Sequence, residues 1–297
     1  MDTSWLKGII ATTITPFLAN EEVDEDAFLE EVRYVLKSGV NGLSVGGSTG
    51  EGAVLSDEEV TRLCELAVRE VHGKVPVVAG IIRNSTRAAV QTAMRVKETG
   101  VVALMVTPIH YHVNVPSDAG NYEFYQKIGE AIQLPIIIYN VVPQNIITPD
   151  MLVKLSGIPQ VIGIKQSGGD VHKLAEMVER CGNQVVIMSA IDDLLYPTYL
   201  MGAKGSIVAL SAIAPGLCSQ QWQAFASGDY KTAEELHRKL LPICLAVQGP
   251  NFPGKVKEAI RLQGRPAGIP RSPVQGTTEE ESLAFRYALL RAGLLMK

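Results

Sequence analysis

The sequence predicts a (β/α)8 barrel with a C-terminal helical appendage. Short apolar, β-branched runs alternate with amphipathic helical patterns eight times, and the strand pattern stops after Ser211. Parallel strands need crossover helices, and eight such units close a ring. An open doubly wound sheet usually has a glycine fingerprint between its first strand and helix, and none occurs from Thr12 to Phe17. The barrel is therefore the fold that we expect.

The predicted strands and helices alternate strictly through the barrel. Strands are expected at residues 8–15, 42–45, 75–82, 101–107, 135–140, 160–165, 185–189 and 205–210. Helices are expected at 27–37, 57–71, 85–98, 118–132, 149–155, 171–181, 194–201, 218–226, 230–247, 255–262 and 278–294. Ser56 supplies an N-cap, and Gly39, Gly100 and Gly202 mark helix ends. Residues 1–227 should form the barrel and 228–297 a helical region packed on it, with connectors at 249–253 and 265–277.

The composition indicates a globular protein with a small-molecule partner. The chain has 297 residues, 46% apolar and 20% charged, and a net charge of −4 without a strong run of either sign. We therefore expect no nucleic-acid partner and no membrane surface held by charge. No apolar run approaches the roughly 18 residues that span a bilayer, and the N-terminus lacks a basic region followed by an apolar one, so a cytoplasmic location is expected.

The cysteines do not suggest a disulfide framework or a metal site. Cys64, Cys181, Cys218 and Cys244 are widely spaced and form no CxxC pair. Most of them fall within predicted helices, where cysteine packs as a small apolar residue. We expect reduced thiols.

The main candidate for chemistry is Lys165, at the carboxyl end of the sixth predicted strand. The run before it, residues 160–164, has the continuous apolar character of a strand covered on both faces. An ammonium group is costly to bury there, and desolvation favours the neutral amine, which can attack a carbonyl and form a Schiff base. A buried lysine paired with a carboxylate is the alternative, and the strand pattern alone does not separate the two.

Two more strand ends fall on the carboxyl face, where barrel enzymes have their active sites. Gly47, Ser48 and Thr49 follow the second strand in a turn rich in N–H groups and hydroxyls, which suits a carboxylate; an ordinary glycine turn is the alternative. Tyr139 lies on the fifth strand, about 4.8 Å from the strand of Lys165, so its phenol is expected to reach an adduct on that lysine. The alternative for Tyr139 is a buried structural tyrosine.

These motifs, in this order, resemble those of the dihydrodipicolinate synthase and N-acetylneuraminate lyase family of class I aldolases. The shared motifs are GSTGE at 47–51, TP at 107–108, YN at 139–140 and GIKQSGGD at 163–170, and the similarity runs from Gly8 to the C-terminal helices. The resemblance implies a (β/α)8 barrel with a C-terminal helical region, no metal or organic cofactor, and a homotetramer built as a dimer of dimers.

The resemblance also implies roles for individual residues. Lys165 would form a Schiff base with the keto group of pyruvate or a related 2-oxo acid, and Tyr139 would be the acid/base group. Ser48 and Thr49, beside Gly47, would bind the carboxylate and relay protons. The protonated imine would accept the electrons released when a carbon–carbon bond breaks or a proton leaves the adjacent carbon.

Three further residues are expected at the substrate-binding mouth. His110 aligns with the family's relay tyrosine, with Tyr111 as a near neighbour; a solvated loop histidine is the alternative. Asp192 aligns with acidic residues that bind sugar hydroxyls in the sialic acid lyase branch, and a helix N-cap is its equal alternative. Ile207 lies on the eighth predicted strand. The apolar residues just before Asp192 favour a smaller or more apolar aldehyde than a sugar.

The loop after Tyr139 departs from the synthase branch. In that branch an arginine soon after the YN motif binds the carboxylate of the second substrate, whereas this chain has Gln144 and Asn145. We therefore predict a poor dihydrodipicolinate synthase. Arg83, at the end of the third strand, either supplies that charge instead or is simply solvated.

The predicted function is that of a class I aldolase or lyase acting on a 2-oxo acid and an aldehyde. A 2-oxo acid dehydratase or hydratase-aldolase with the same imine is an alternative, and so is a non-catalytic 2-oxo acid binding protein on the same fold. A sugar-phosphate enzyme would need a phosphate cradle after strands seven and eight, and residues 189–191 and 209–212 do not supply one.

Overall fold

Eight parallel strands close into a barrel in the order in which they occur along the chain. The structure, a computed structural model, describes residues 1–295, so the end of the predicted helical region, 296–297, lies outside the described residues. The strands are β1 (Gly8–Thr12), β2 (Gly42–Val45), β3 (Val77–Ile81), β4 (Ala103–Val106), β5 (Ile136–Asn140), β6 (Val161–Gln166), β7 (Val186–Ser189) and β8 (Gly205–Ser206). The predicted (β/α)8 fold is confirmed.

Helices connect the strands and continue beyond the barrel. Those of the barrel are α1 (Glu25–Lys37), α2 (Asp57–Val71), α3 (Thr86–Lys97), α4 (Asp118–Ile132), α5 (Pro149–Leu155), α6 (Val171–Cys181), α7 (Leu195–Leu200), α8 (Leu210–Ile213) and α9 (Pro215–Ala226). The C-terminal helices are α10 (Tyr230–Val247), α11 (Phe252–Arg261) and α12 (Glu279–Ala292). Helices α2, α4, α5, α6 and α10 have the predicted bounds. Side-chain caps help to explain this agreement, as at Ser56, which forms a capping box with Glu59.

The prediction was wrong at the eighth strand. We expected it to reach residue 210, but β8 ends at Ser206 and a short helix begins at Leu210. Side chains help to close the seam between β1 and β8, because Thr12 Oγ1 donates to Val208 O at 3.0 Å and Thr12 N donates to Ser211 Oγ at 3.1 Å. Hydroxyl contacts therefore take the place of ladder hydrogen bonds where the strand is short.

The connector before α11 is also shorter than predicted. We assigned residues 249–253 to it, but α11 begins at Phe252, with Pro253 in its first turn. Proline is well tolerated at this position, because the first N–H groups of a helix have no partner within the helix. The proline that suggested a connector therefore belongs to a helix start.

The core has two layers, one inside the barrel and one around it. The interior cluster contains Leu6, Ile10, Val78, Ala103, Met105, Ile137, Tyr139, Ile162, Met188 and Ile207. The larger outer cluster packs the strands against the helices. Strand residues alternate between the two layers, so both faces are buried and the strands read as continuous apolar runs. Tyr139 and Ile207 thereby point into the barrel.

The C-terminal helices pack on the last two helices of the barrel, α8 and α9. Helix α10 contacts α9 and α12, and α11 contacts α8 and α12. The predicted boundary at residue 227 falls between α9 and α10, which pack extensively on each other. It remains a prediction.

The four cysteine thiols, Cys64, Cys181, Cys218 and Cys244, are buried and free. Among residues 1–295, no group of three or more His, Cys, Asp or Glu side chains is arranged to hold a metal ion. No helix in this part of the chain is both long and apolar enough to cross a membrane.

Candidate active site

Lys165 and Tyr139 meet at the carboxyl end of neighbouring strands. The two residues are paired in the ladder between β5 and β6, and each is 4% exposed. Lys165 Nζ lies 3.7 Å from the centroid of the Tyr139 ring. Within the described part of the chain, no carboxylate oxygen lies within 4.0 Å of Lys165 Nζ. The structure therefore does not support the alternative of a buried lysine paired with a carboxylate.

A hydrogen bond joins this pair to the turn after β2. The Tyr139 hydroxyl donates to Ser48 Oγ at 3.0 Å. The turn is closed by a hydrogen bond from Gly52 N to Gly47 O at 3.0 Å. It is tightly packed, since a Cβ on Gly52 would lie 1.8 Å from Gly46 O. Glycine at this position lets the turn place Ser48 beside Tyr139.

The same turn presents backbone donors. Within residues 1–295, the N–H groups of Ser48 and Thr49 donate to no protein acceptor. Thr49 is 5% exposed, and Gly47, which precedes the pair, is buried. Adjacent free N–H groups in a turn form a site suited to an anion such as a carboxylate.

Asp192, just after β7, lies close enough to Lys165 to be affected by its charge. Burial raises the pKa of Asp192 to about 6; a hydrogen bond from Leu210 N and then the positive charge of Lys165 act in the opposite direction. Leu210 N donates to Asp192 Oδ1 at 2.8 Å. The predicted alternative was a helix N-cap, but the short turn that starts at Asp192 has no side-chain cap. Its carboxylate instead binds the first N–H group of α8.

An open cavity of about 360 Å³ extends from Asp192 toward the C-terminal helices. It is lined by Gly169, Ala190, Ile191, Asp192, Asp193, Leu210, Cys244, Val247, Gln248, Gly249 and Phe252. Its lining includes two carboxylates and no lysine or arginine. Lys165 does not line the cavity, whereas Asp192 lines it and is also affected by the charge of Lys165.

His110 and Ile207 lie differently from the other predicted site residues. Ile207 is fully buried in the interior cluster with Tyr139. His110 Nε2 lies 2.8 Å from Asn84 Nδ2, while its Nδ1 is buried without a partner in the described structure. Burial, and secondarily the charge of Arg83, lowers the pKa of His110, which favours the neutral ring. Neither residue lines the cavity, and their roles remain predictions.

Arg83 is used within the protein. Its guanidinium forms an ion pair with Asp57 at 2.8 Å and donates to Ile82 O at 2.9 Å and Leu55 O at 3.2 Å. These contacts hold the loop between β2 and α2. The proposed alternative, in which Arg83 binds an anionic substrate group, has no support in this geometry.

Sequence reasoning missed one pair of residues at the site. Glu51, in the turn after β2, forms a buried ion pair with Lys257 of α11. The structure buries the whole stretch of α11 from Gly254 to Ile260, which includes Lys257. No pattern in a single sequence matches this lysine to a carboxylate far away in the chain.

Comparisons with known proteins agree with the fold and the motifs. Residues 5–292 match the model of the dihydrodipicolinate synthetase family. A 4-hydroxy-tetrahydrodipicolinate synthase of Methanopyrus kandleri is 33% identical over 294 residues, which cover 98% of this chain and 97% of that protein. The enzyme of the same name from Bartonella tribocorum is 36% identical over 295 residues, covering 98% and 99%.

Solved structures give the same result. A crystal structure of a dihydrodipicolinate synthase aligns with a TM-score of 0.90 at 30% identity, covering 97% of this chain and all of that one. A prophage protein of the dihydrodipicolinic acid synthase family from E. coli K12, solved in complex with pyruvate, aligns with a TM-score of 0.92 at 26% identity, covering 97% and 99%.

The names of these relatives bear on the predicted subtype. Both sequence relatives are called 4-hydroxy-tetrahydrodipicolinate synthase, so they do not support our prediction that this activity is poor here. What they do support is the predicted family and enzyme class. The chain belongs to the dihydrodipicolinate synthetase family and is a lyase-type enzyme of the class I aldolase kind.

Proposed function

We propose that this protein forms an imine between Lys165 and pyruvate or a related 2-oxo acid, and uses it for aldol cleavage or condensation. The observation that carries the proposal is the contact of Lys165 Nζ with the Tyr139 ring at 3.7 Å, beside the Tyr139–Ser48 hydrogen bond of 3.0 Å. A buried amine without a nearby carboxylate partner is available as a nucleophile, and the adjacent phenol is available to move protons.

In this proposal, a group is assigned to each step. The free N–H groups of Ser48 and Thr49 bind the carboxylate of the 2-oxo acid, which holds the adjacent keto carbon. Lys165 Nζ attacks that carbon and the oxygen leaves as water, with Tyr139 supplying a proton. In cleavage, Tyr139 takes the proton of the substrate hydroxyl, and the electrons of the breaking carbon–carbon bond move to the imine nitrogen. Condensation is the reverse.

We propose an uncharged aldehyde as the second partner. The cavity beside Asp192 has carboxylates and apolar side chains in its lining, and no cation to bind an anionic tail. Asp192 accepts from Leu210 N through only one of its oxygens, which leaves the other for a substrate hydroxyl. Gln144 is exposed, and Asn145 Nδ2 donates to Ile109 O at 3.2 Å, so neither replaces the missing arginine.

An aldehyde panel tests this substrate class. Purified protein, pyruvate and single aldehydes are incubated, and pyruvate consumption is followed with neutral, aromatic and hydroxylated aldehydes beside aspartate semialdehyde; N-acetylneuraminate is tested for cleavage. We expect faster condensation with an uncharged aldehyde. Efficient use of aspartate semialdehyde at low concentration would contradict the proposed aldehyde class, and would show that the activity named for the relatives applies here.

Proton exchange tests the imine chemistry without requiring the true aldehyde. An imine of pyruvate loses a methyl proton to become an enamine, and in D2O the reverse step adds deuterium. We expect the methyl signal of pyruvate in proton NMR to fade in the presence of the enzyme. No exchange above the buffer rate would contradict the proposed function.

We also propose that the protein is a cytoplasmic homotetramer with only small-molecule substrates. Support for self-association comes from the segment after β4, where Tyr111, Val113 and Val115 are 53%, 70% and 37% exposed. Apolar side chains clustered on one exposed segment are typical of an interaction surface. Sedimentation velocity should show a single species with the mass of four chains, and a monomer would contradict this assembly.

A further inference from the structure

A buried ion pair ties the turn after β2 to the C-terminal helices. Lys257 Nζ lies 2.5 Å from Glu51 Oε1, and the two side chains are 1% and 2% exposed. The other carboxylate oxygen of Glu51 accepts from Arg271 N at 2.9 Å. Glu51 also has a φ of 58°, a left-handed conformation that residues with a side chain seldom adopt. Lys257 and Arg271, which lie outside the turn, therefore stabilise this conformation of Glu51.

Lys257 is placed by several contacts besides Glu51. Its Nζ donates to Ile269 O at 2.6 Å and lies 4.5 Å from the centroid of the Phe17 ring. Burial lowers the pKa of Lys257, while the charge and hydrogen bond of Glu51 act in the opposite direction. The ammonium group therefore depends on Glu51, and removing either partner leaves an unpaired buried charge.

Glu51 is linked through Ser48 to Tyr139, the proposed proton-transfer group. Its backbone N donates to Ser48 O at 3.1 Å, and Ser48 Oγ accepts the hydroxyl of Tyr139 at 3.0 Å. A displacement of Glu51 would thus move Ser48 relative to Tyr139. Displacements of about 1 Å from a change far from the chemistry can cost roughly 10²-fold in rate.

We propose that Lys257 is a positioning residue, which acts through Glu51 to hold Ser48 against Tyr139. This proposal rests on the proposed imine function. It assigns a role in the reaction to the C-terminal helical region, since α11 supplies the cation. The competing explanation is that the pair only stabilises the fold.

Two variants separate these explanations. In K257M the buried carboxylate of Glu51 loses the cation that it pairs with, so we expect a lower melting temperature and slower proton transfer. In the double variant E51Q/K257M no unpaired charge remains, so we expect most of the thermal stability to return. The ammonium–carboxylate contact is still missing, so proton transfer should stay slow.

A second buried pair of the same kind provides the control. Arg265 and Glu31 have 6% and 3% exposed side chains and also connect the C-terminal region to the barrel. Arg265 donates to Ala212 O and Ile213 O, and none of its hydrogen bonds in the described structure reaches the turn after β2. The variant E31Q/R265M should retain the wild-type rate for each folded molecule.

The readout is methyl exchange per imine formed. Imine is trapped with borohydride at saturating pyruvate and counted by intact mass, and deuterium exchange is measured on the same samples. We expect near-complete trapping in every variant, with exchange per trapped site reduced about 10- to 100-fold in K257M and E51Q/K257M only. Wild-type exchange per site in the double variant, or an equal loss in E31Q/R265M, would overturn the positioning role. Absence of trapping in the wild type would instead reject the imine function.

Discussion

The two halves of the barrel mouth are built differently. Over β2, β5 and β6, side chains are buried and in direct contact, as in the hydrogen bond between Tyr139 and Ser48. Over β7 and β8 the mouth opens into the cavity beside Asp192. The half over β2, β5 and β6, here called the closed half, therefore has the rigidity that the proposed proton transfer requires. The half over β7 and β8, the open half, has room for different substrates. The difference suggests that the proposed imine chemistry and the proposed choice of aldehyde can vary independently.

The largest expected effect comes from the closed half. Lys165→Ala should abolish methyl exchange, lowering it to the rate in buffer, because no other described lysine lies beside Tyr139. The measurement is proton NMR of pyruvate in D2O. Lys204→Ala, which alters an exposed lysine in the turn before β8, is the matched control and should exchange at the wild-type rate. Exchange in Lys165→Ala would break the assignment of the closed half to imine chemistry.

A smaller but still large effect is expected for Tyr139→Phe. The phenol is proposed to move protons, and such groups typically contribute about 10²–10⁴ in rate. Exchange should fall by that factor while imine trapping at saturating pyruvate is retained.

The matched control is Tyr125→Phe, since the buried Tyr125 hydroxyl donates to Val106 O at 3.2 Å within the core. We expect this variant to lose about 1 kcal/mol of stability and to keep its full exchange activity. Equal kinetic losses in the two variants would show that the tyrosine effect is structural.

The open half should show a pH-dependent effect on stability. Burial raises the pKa of Asp192 to about 6 from 3.8, so the folded state favours its protonated form. The contribution of this group to stability is present below pH 3.8 and is lost as the pH rises through about 6. Asp192→Asn removes this loss, so the variant should gain stability relative to wild type between pH 4 and pH 7. Urea unfolding at both pH values measures the change, and a constant difference would show that Asp192 is well solvated.

The smallest effect is expected at His110, outside both halves. Its Nδ1 is buried without a partner in the described structure, whereas Nε2 faces Asn84. If Nδ1 binds substrate, His110→Gln should raise the pyruvate concentration for half-maximal exchange about 2- to 10-fold, the loss of one hydrogen bond. His110→Asn, which retains a polar atom near Nδ1, should stay close to wild type. Equal half-maximal pyruvate concentrations in the two variants would show that His110 does not bind substrate through Nδ1.

The parts of the fold that local signals specify were predictable. The capping box at Ser56 and the apolar periodicity of α2 depend on residues a few positions apart, and the predicted bounds of that helix are those observed. The end of β8 was not predictable in this way, because it depends on contacts of Thr12 with Val208 and Ser211 across the barrel seam.

The same distinction between local and distant contacts separates the site residues that were predictable from those that were not. Lys165 and Tyr139 stood out because each ends an apolar strand, and parallel strands bring such ends to one face. The partners of Arg83 and Glu51 could not be predicted, since ion pairs between distant segments leave no periodic signal in a single sequence. The open cavity was equally hidden, because helices α10 and α11 complete it from the far end of the chain.

The most direct test of the central claim is chemical trapping of the imine. The protein is incubated with pyruvate and borohydride, which reduces an imine to a stable secondary amine, and the modified peptide is located by mass spectrometry. We predict one pyruvate-derived adduct per chain, on Lys165 in the peptide containing residues 161–170. An adduct on a different lysine, or none at all with saturating pyruvate, would contradict the proposed function.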